Sequence, residues 1–293
     1  MSAVATVQSG QPDECLVNTE FPLTRKDFSD IAAMIHADAG IALNETKASL
    51  VYSRLSKRLR HLGLASFKDY CALVRSPAGS DERREMLSLL TTNFTRFFRE
   101  NHHFDHLRDH VLPDLVKRAN AGGRVRIWSA GCSDGQEPYS MALTLLGMAP
   151  NAASLDIRIL ATDIDPKMIA QARAGDYDAQ AIETVDPRMR KQWLTQSADK
   201  RWQISDQAKK LITFRELNLM ASWPFRGLFD VIFCRNVVIY FDEATQDRIW
   251  IRFADLLPPG GHLYIGHSER LSGAAKDRFD SAAVTTYRCK GRI

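Results

Sequence analysis

Apolar residues recur at helical spacing in the first third of the chain and in short runs between turn signals after it. Thr24 can cap a helix through Ala39, with Phe28, Ile31 and Ile35 on one side and Gly40 as its stop. Asn44 can cap a second helix ending at Gly63. Further helical patterns cover 67–74, 82–90 and about 101–119, with Ser76-Pro77-Ala78-Gly79-Ser80 as a turn. From Arg124 the pattern becomes strand and helix by turns. Predicted strands cover 125–129, 157–162, 212–217, 229–234, 261–266 and 284–289; predicted helices cover 137–148, 166–174 and 245–257. This alternation predicts an α/β fold with a doubly wound, mostly parallel sheet. The last strand is expected antiparallel, because no crossover helix precedes it.

At 293 residues, 45% hydrophobic and 25% charged, the chain has the balance of a globular protein with room for two domains. The longest nearly apolar stretch, 141–149, is too short for a membrane span, so no direct membrane insertion is expected. Residues 1–20 lack a basic region followed by an apolar block and read as a flexible leader. A small helical domain then covers 21–90 and an α/β domain 91–293, with the glycine-free stretch 176–210 as a small inserted subdomain. The five cysteines are odd in number and never in C-x-x-C spacing, which suits a reducing cytoplasm and no thiolate metal site.

The most informative unit is Trp128-Ser129-Ala130-Gly131-Cys132-Ser133-Asp134-Gly135-Gln136-Glu137. A glycine turn leaving the first strand of the sheet lets a ligand approach the backbone at the carboxyl edge. Asp163 ends the next strand, where a carboxylate can accept from ribose hydroxyls. The loop is not G-x-G-x-x-G and has no P-loop lysine, so phosphate cradling is poorly supported. Glu137 at the helix start suits a cationic ligand such as S-adenosylmethionine, or else simply complements the helix dipole. Gly131-Cys132-Ser133-Asp134-Gly135 also fits G-x-S-x-G, the elbow of a serine esterase, with Asp230 or Asp242 and His262 or His267 as partners. Against this, the elbow follows the first strand, whereas hydrolases build several strands earlier. Two further stretches mix polar with apolar groups: Thr91-Thr92-Asn93-Phe94-Thr95-Arg96-Phe97-Phe98-Arg99-Glu100, and Phe233-Cys234-Arg235-Asn236-Val237-Val238-Ile239-Tyr240. Burying Arg235 and Asn236 unpaired would cost several kcal/mol, so they read as site residues.

Together TTNFTRFFRE, WSAGCSDGQEPYS, ATDID, FDVIFCRNVVIYFD and PGGHLYIGHSE resemble the bacterial chemotaxis receptor methyltransferases, the CheR family. The resemblance runs from about Phe21 to the last strand. It implies a class I S-adenosylmethionine methyltransferase-like sheet and an enzyme that esterifies glutamate side chains on chemoreceptors, leaving S-adenosylhomocysteine. By motif position it implies cofactor contacts from Asn93, Thr95, Arg99, Glu137, Asp163, Asn218, Leu219, Arg235 and Asn236, beside the Gly131 turn, with Tyr240 near the transferred methyl group. A glutamate carboxylate, with a pKa of about 4.3, is already the nucleophile at neutral pH, so alignment rather than an acid–base pair is required. Arg99 or Tyr240 is expected to orient it. The non-enzymatic alternative is a cofactor-sensing scaffold of the same fold.

Between Lys47 and Arg75 there are seven Lys or Arg and one acid, Asp69. Val51, Leu55, Leu59 and Leu62 form one stripe of that helix. Arg54, Lys57 and Arg58 are expected to dock the acidic methylation region of a membrane receptor's cytoplasmic domain. Without interleaved aromatics, nucleic acid is not expected. His102, His106 and His110 lie one turn apart, but Phe104, Leu107 and Val111 make an amphipathic helix the simpler reading, so no metal is expected. Some family members bind a receptor-tail peptide at a glycine-rich loop of the inserted subdomain. Here that stretch reads Gln196-Ser197-Ala198-Asp199-Lys200-Arg201-Trp202, so such a tether is not expected.

Overall fold

The computed structural model describes residues 14–291. The chain divides after Thr92 into two compact units. In the first, β1 (Cys15–Val17) pairs antiparallel with β2 (Leu23–Thr24), so part of the stretch read as a leader is a strand; residues 1–13 of that leader lie outside the described residues. Helix α1 (Arg25–Ala39) starts at a reciprocal cap. The Thr24 hydroxyl accepts from Asp27 N at 3.1 Å, while Thr24 N donates back to the Asp27 carboxylate at 3.4 Å. Gly40, at φ 72°, ends the helix. Asn44 does not cap the next helix. Its side-chain oxygen accepts from the Thr46 hydroxyl, so a 3₁₀ turn precedes α2 (Ala48–Leu62). Helices α3 (Phe67–Arg75) and α4 (Ser80–Leu90) complete the unit.

The stripe Val51, Leu55 and Leu59 is buried, but the basic residues opposite are not uniformly available. Arg58 grips the buried Glu82 with two guanidinium nitrogens, at 2.9 and 2.6 Å, and Tyr70 donates to the same carboxylate at 3.0 Å. Arg54 donates to the carbonyls of Leu89 and Thr91 at 3.0 and 2.7 Å. These two arginines therefore fasten α2 to α4 and its C-terminal end. Lys57 is exposed.

The second unit opens with α5 (His102–His106), a π-helical turn over Leu107–Val111, and α6 (Leu112–Asn120). The helix predicted over about 101–119 is present without interruption, with a π-helical turn just before Pro113, which has no N–H to donate to the preceding turn. Strands β3 (Val125–Ala130), β4 (Ile157–Asp163), β5 (Asp176–Tyr177), β6 (Leu194–Gln196), β7 (Trp202–Ile204), β8 (Ile212–Glu216), β9 (Val231–Cys234), β10 (His262–Ile265), β11 (Phe279–Ala283) and β12 (Thr286–Cys289) follow. The seven-stranded sheet has the order β11-β12-β10-β9-β3-β4-β8. Strands β10, β9, β3, β4 and β8 run parallel, and β12 pairs antiparallel with β10 as expected. Strand β11 was not predicted: FDSAA is poor in strand formers and mostly exposed at the sheet edge. Between β4 and β8 lie α8 (Pro166–Ala174), α9 (Pro187–Trp193), α10 (Asp206–Leu211) and the separate antiparallel sheet β5-β7-β6. Helix α7 (Gln136–Met148) follows β3 and is buried over most of its length; α11 (Glu243–Asp255) precedes β10.

The strand order reverses at β3, whose neighbours are β4 on one side and β9 on the other. The loops leaving β3 and β9 thus flank the switch point, where open α/β sheets bind ligands. Among the described residues, no helix is long and apolar enough to cross a membrane.

Candidate active site

The loop leaving β3 turns at Gly131, at φ 86°. A Cβ there would lie 2.3 Å from a methyl carbon of Val237, so glycine is needed for both conformation and closeness. Ser133, also at positive φ (50°), donates its N–H to Asp163 at 2.7 Å and its hydroxyl to the Asn93 carbonyl at 3.0 Å. Asp163 accepts from Asp165 N as well, at 3.0 Å. Burial pushes the Asp163 carboxyl up to about 6, against the pull of these N–H groups. Two of its roughly four acceptor sites are used, so it can still accept a ribose hydroxyl. The Asn93 amide donates to Asp165 at 3.2 Å, bringing the segment before α5 to the ends of β3 and β4.

On the other flank Arg235 is the hub. Its side chain is 1% exposed and lies between two carboxylates, Glu137 at 3.2 Å and Glu100 at 3.4 Å. It also donates to the Arg99 carbonyl and lies over the rings of Phe104 and Phe233. Glu137 accepts from Ser129 Oγ at 2.7 Å, so both its oxygens are engaged; it acts first as the counter-ion of Arg235 and only the 11% of its side chain still exposed can meet a ligand. Glu100 was missed by sequence reasoning. It accepts from His267 Nδ1 at 3.0 Å and Asn236 Nδ2 at 3.4 Å. Burial alone would raise its carboxyl, but the Arg235 charge and these hydrogen bonds outweigh that and hold it down at about 2. Phe98, Glu100 and Asn236 all have positive φ, at 54°, 56° and 59°. Such non-glycine strain collects where surrounding contacts dictate the backbone.

The remaining expected residues take definite places. Arg99 donates to the Phe94 carbonyl at 2.9 Å and stands over the exposed Phe94 ring. Thr95 and Tyr240 are half-buried, Tyr240 closing a 3₁₀ turn after β9. The side-chain oxygen of Asn218 accepts from Met220 N at 2.8 Å, which turns the chain after β8. Arg252, over the Trp223 ring at 3.6 Å, holds the carbonyls of Leu219 and Ala221 at 2.6 Å each. Asn218 and Leu219 are therefore fixed at the carboxyl end of the strand next to β4.

The serine-esterase arrangement is absent among the described residues. Ser133 donates to a carbonyl rather than to a histidine, His267 serves Glu100, and the His262 ring packs against His106 and Tyr264. The histidines also sort differently from their spacing. His106 bonds the Tyr264 hydroxyl at 2.9 Å, while His103 is the fully buried one, bonded to Thr285 at 2.8 Å. The His and Glu atoms that do converge, on Glu100, His102 and His103, share their carboxylate with Arg235 and His267.

At the switch point stand carboxylates, amides and hydroxyls, and the one guanidinium named there, Arg235, is already engaged by Glu137 and Glu100. That fits a nucleoside carrying a positively charged group and does not fit a pyrophosphate. Comparison with known proteins agrees. The family model for the CheR methyltransferase, SAM binding domain, matches residues 93–288, and that for the CheR methyltransferase, all-alpha domain, matches 26–91. The chain is 69% identical over 258 residues to a probable chemotaxis protein methyltransferase of Rhizobium etli, covering 87% of this chain and 96% of that one. It is 38% identical over 291 residues to the chemotaxis protein methyltransferase of Escherichia coli (strain K12), covering 97% and 98%. With chemotaxis protein methyltransferase 2 of Pseudomonas aeruginosa it shares 40% over 270 residues, covering 90% and 93%.

Proposed function

Because the chain belongs to the CheR methyltransferase family and methylates with S-adenosylmethionine in chemotaxis, we propose that its acceptors are glutamate side chains of chemoreceptor cytoplasmic domains, reached in the cytoplasm. The observation that carries this reading is the pairing of Arg235 with two carboxylates at the switch point, beside a strand-end Asp163; a general base is not required there. A carboxylate acceptor needs none, since it is ionised at neutral pH.

The cofactor supplies an electrophilic methyl group on a sulfonium. The residues that would hold it are Asn93, Thr95, Glu137, Asp163, Asn218, Leu219, Arg235 and Asn236, around the Gly131 turn. Asp163 would accept from its ribose, and the backbone at Asn218 and Leu219, whose Leu219 carbonyl is held by Arg252, would border its adenine. Arg235 fixes Glu137 and Glu100 in place and holds the Glu100 carboxyl down against burial, which pushes Glu137 up, so that the carboxylates near the transfer site do not themselves drift into the acceptor's place. Arg99 and Tyr240 orient the incoming carboxylate, which aligns it for in-line displacement. On the helical unit the exposed Lys57 is left as the docking cation, with Arg54 and Arg58 contributing fixed positive charge behind it. The receptor-tail peptide plays no part in this reading.

Arg99→Ala is expected to lower kcat for receptor methylation about a hundredfold, and Tyr240→Phe about tenfold, with S-adenosylhomocysteine affinity within fivefold of wild type in the Tyr240 variant. Steady-state label transfer together with calorimetric titration checks both. Intact turnover in both variants would remove these residues from acceptor orientation.

A further inference from the structure

The stretch Gly266-His267-Ser268-Glu269 after β10 belongs to a motif for which the reading above supplies only the His267 contact. Glu269 is 4% exposed. Its Oε1 accepts from the backbone N–H groups of Val237, Val238 and Ile239 at 3.0, 2.8 and 3.3 Å. Its Oε2 accepts from Asn236 N at 3.0 Å and Gly266 N at 2.5 Å. One carboxylate thus satisfies four successive amides of the loop after β9, and a fifth from its own loop.

We propose that Glu269 is a positioning residue for methyl transfer: it sets the backbone of Asn236–Ile239 and thereby places Asn236 on the cofactor side and Tyr240 on the acceptor side. This rests on the methyl-transfer reading of the preceding section. Four consecutive N–H groups converging on one point require an acceptor with no donor of its own, and only a carboxylate offers acceptors on both oxygens. The convergence holds Asn236 at its positive φ, a conformation an ordinary residue leaves unless its surroundings prevent it. Gly266 works from the other side. A Cβ there would lie 2.5 Å from the Asn236 amide nitrogen and 2.7 Å from its backbone nitrogen, so the two loops touch along their backbones. Arg235, one residue earlier, is held separately by Glu137 and Glu100. Loss of Glu269 therefore releases 236–240 while the arginine hub stays.

The test is Glu269→Gln, whose amide turns two N–H groups toward the loop's own donors. In the folded variant kcat for receptor methylation should fall about a hundredfold, with receptor KM within about threefold and S-adenosylhomocysteine affinity within about tenfold. Amide exchange at Val237–Ile239, slow in the wild type, should become fast. If Glu269→Gln does not fold, Gly266→Ala tests the same contact by pushing on Asn236, with the same kcat-selective loss expected. A kcat within threefold of wild type in whichever variant folds, even alongside lower thermal stability, would leave Glu269 merely structural and overturn the proposal. So would fast exchange of these amides in the wild type. If the wild-type enzyme forms no methyl ester at all, the functional reading fails first, while the exchange measurement still judges whether Glu269 holds the loop.

Discussion

Replacing Arg235 by Met is expected to lower the unfolding free energy by about 3–5 kcal/mol, the cost of leaving a buried charge without its partner. The guanidinium is 1% exposed and its two carboxylate partners 11% and 12%, so water cannot take over its role. The variant also bares the Arg99 carbonyl that Arg235 satisfies, at the segment that carries Arg99 into the site. Methyl transfer should vanish with it. Urea unfolding at pH 7 gives the stability change, and the pH dependence identifies its source. Glu100 is held at about 2, below its ordinary 4.5, so its contribution is fully present above pH 4.5 and is lost as pH falls toward 2. Without Arg235 that contribution shrinks, and acid unfolding should begin at higher pH than in the wild type. Arg235→Lys should recover part of the stability, because it returns the charge but not the planar fork that reaches both carboxylates. An unchanged urea midpoint in the Met variant would mean that the two acids are balanced by something other than Arg235.

Asp163→Asn is expected to weaken S-adenosylhomocysteine binding by about 2–3 kcal/mol, roughly 30- to 150-fold. Both Asp163 oxygens receive backbone N–H groups, from Ser133 and Asp165, and an amide cannot accept on both sides. The wild-type affinity should also carry a pH signature. With its carboxyl pushed up to about 6, Asp163 takes a proton as pH falls below that value, and a ribose hydroxyl then loses its anionic acceptor. The sign for the free protein is opposite. The native state binds this proton more tightly than the unfolded chain, so Asp163 costs stability as pH rises from 3.8 to about 6. Calorimetric titration between pH 5 and pH 8 separates the two. Affinity that climbs through pH 6 in the wild type and stays flat in the Asn variant is the expected pair of curves.

Much of this architecture was legible because its signals are local. The Thr24 cap, the Gly40 stop, the glycine loop after β3 and the acid ending β4 each sit within a few residues of the element they define. The antiparallel β12 followed from the absence of a crossover helix. What escaped depends on partners far along the chain. Arg58 sits on the polar side of a helical wheel, and only the fold brings Glu82 to it from 24 positions away. Glu100 and Glu269 looked like ordinary acids after FFR and GHS; their partners Asn236 and Val238 are 136 and 31 positions distant. A usable hint was present, since each acid directly follows a segment bound for the sheet's carboxyl edge. Pro113 was visible as a residue, but the π-helical turn before it shows only once the helix is packed.

The most direct test of the account follows methyl-tritiated S-adenosylmethionine into a purified receptor cytoplasmic fragment. The account predicts label on glutamate side chains, released by mild base as volatile methanol. Label that stays bound after base treatment, or no label from protein that binds the cofactor, would contradict it.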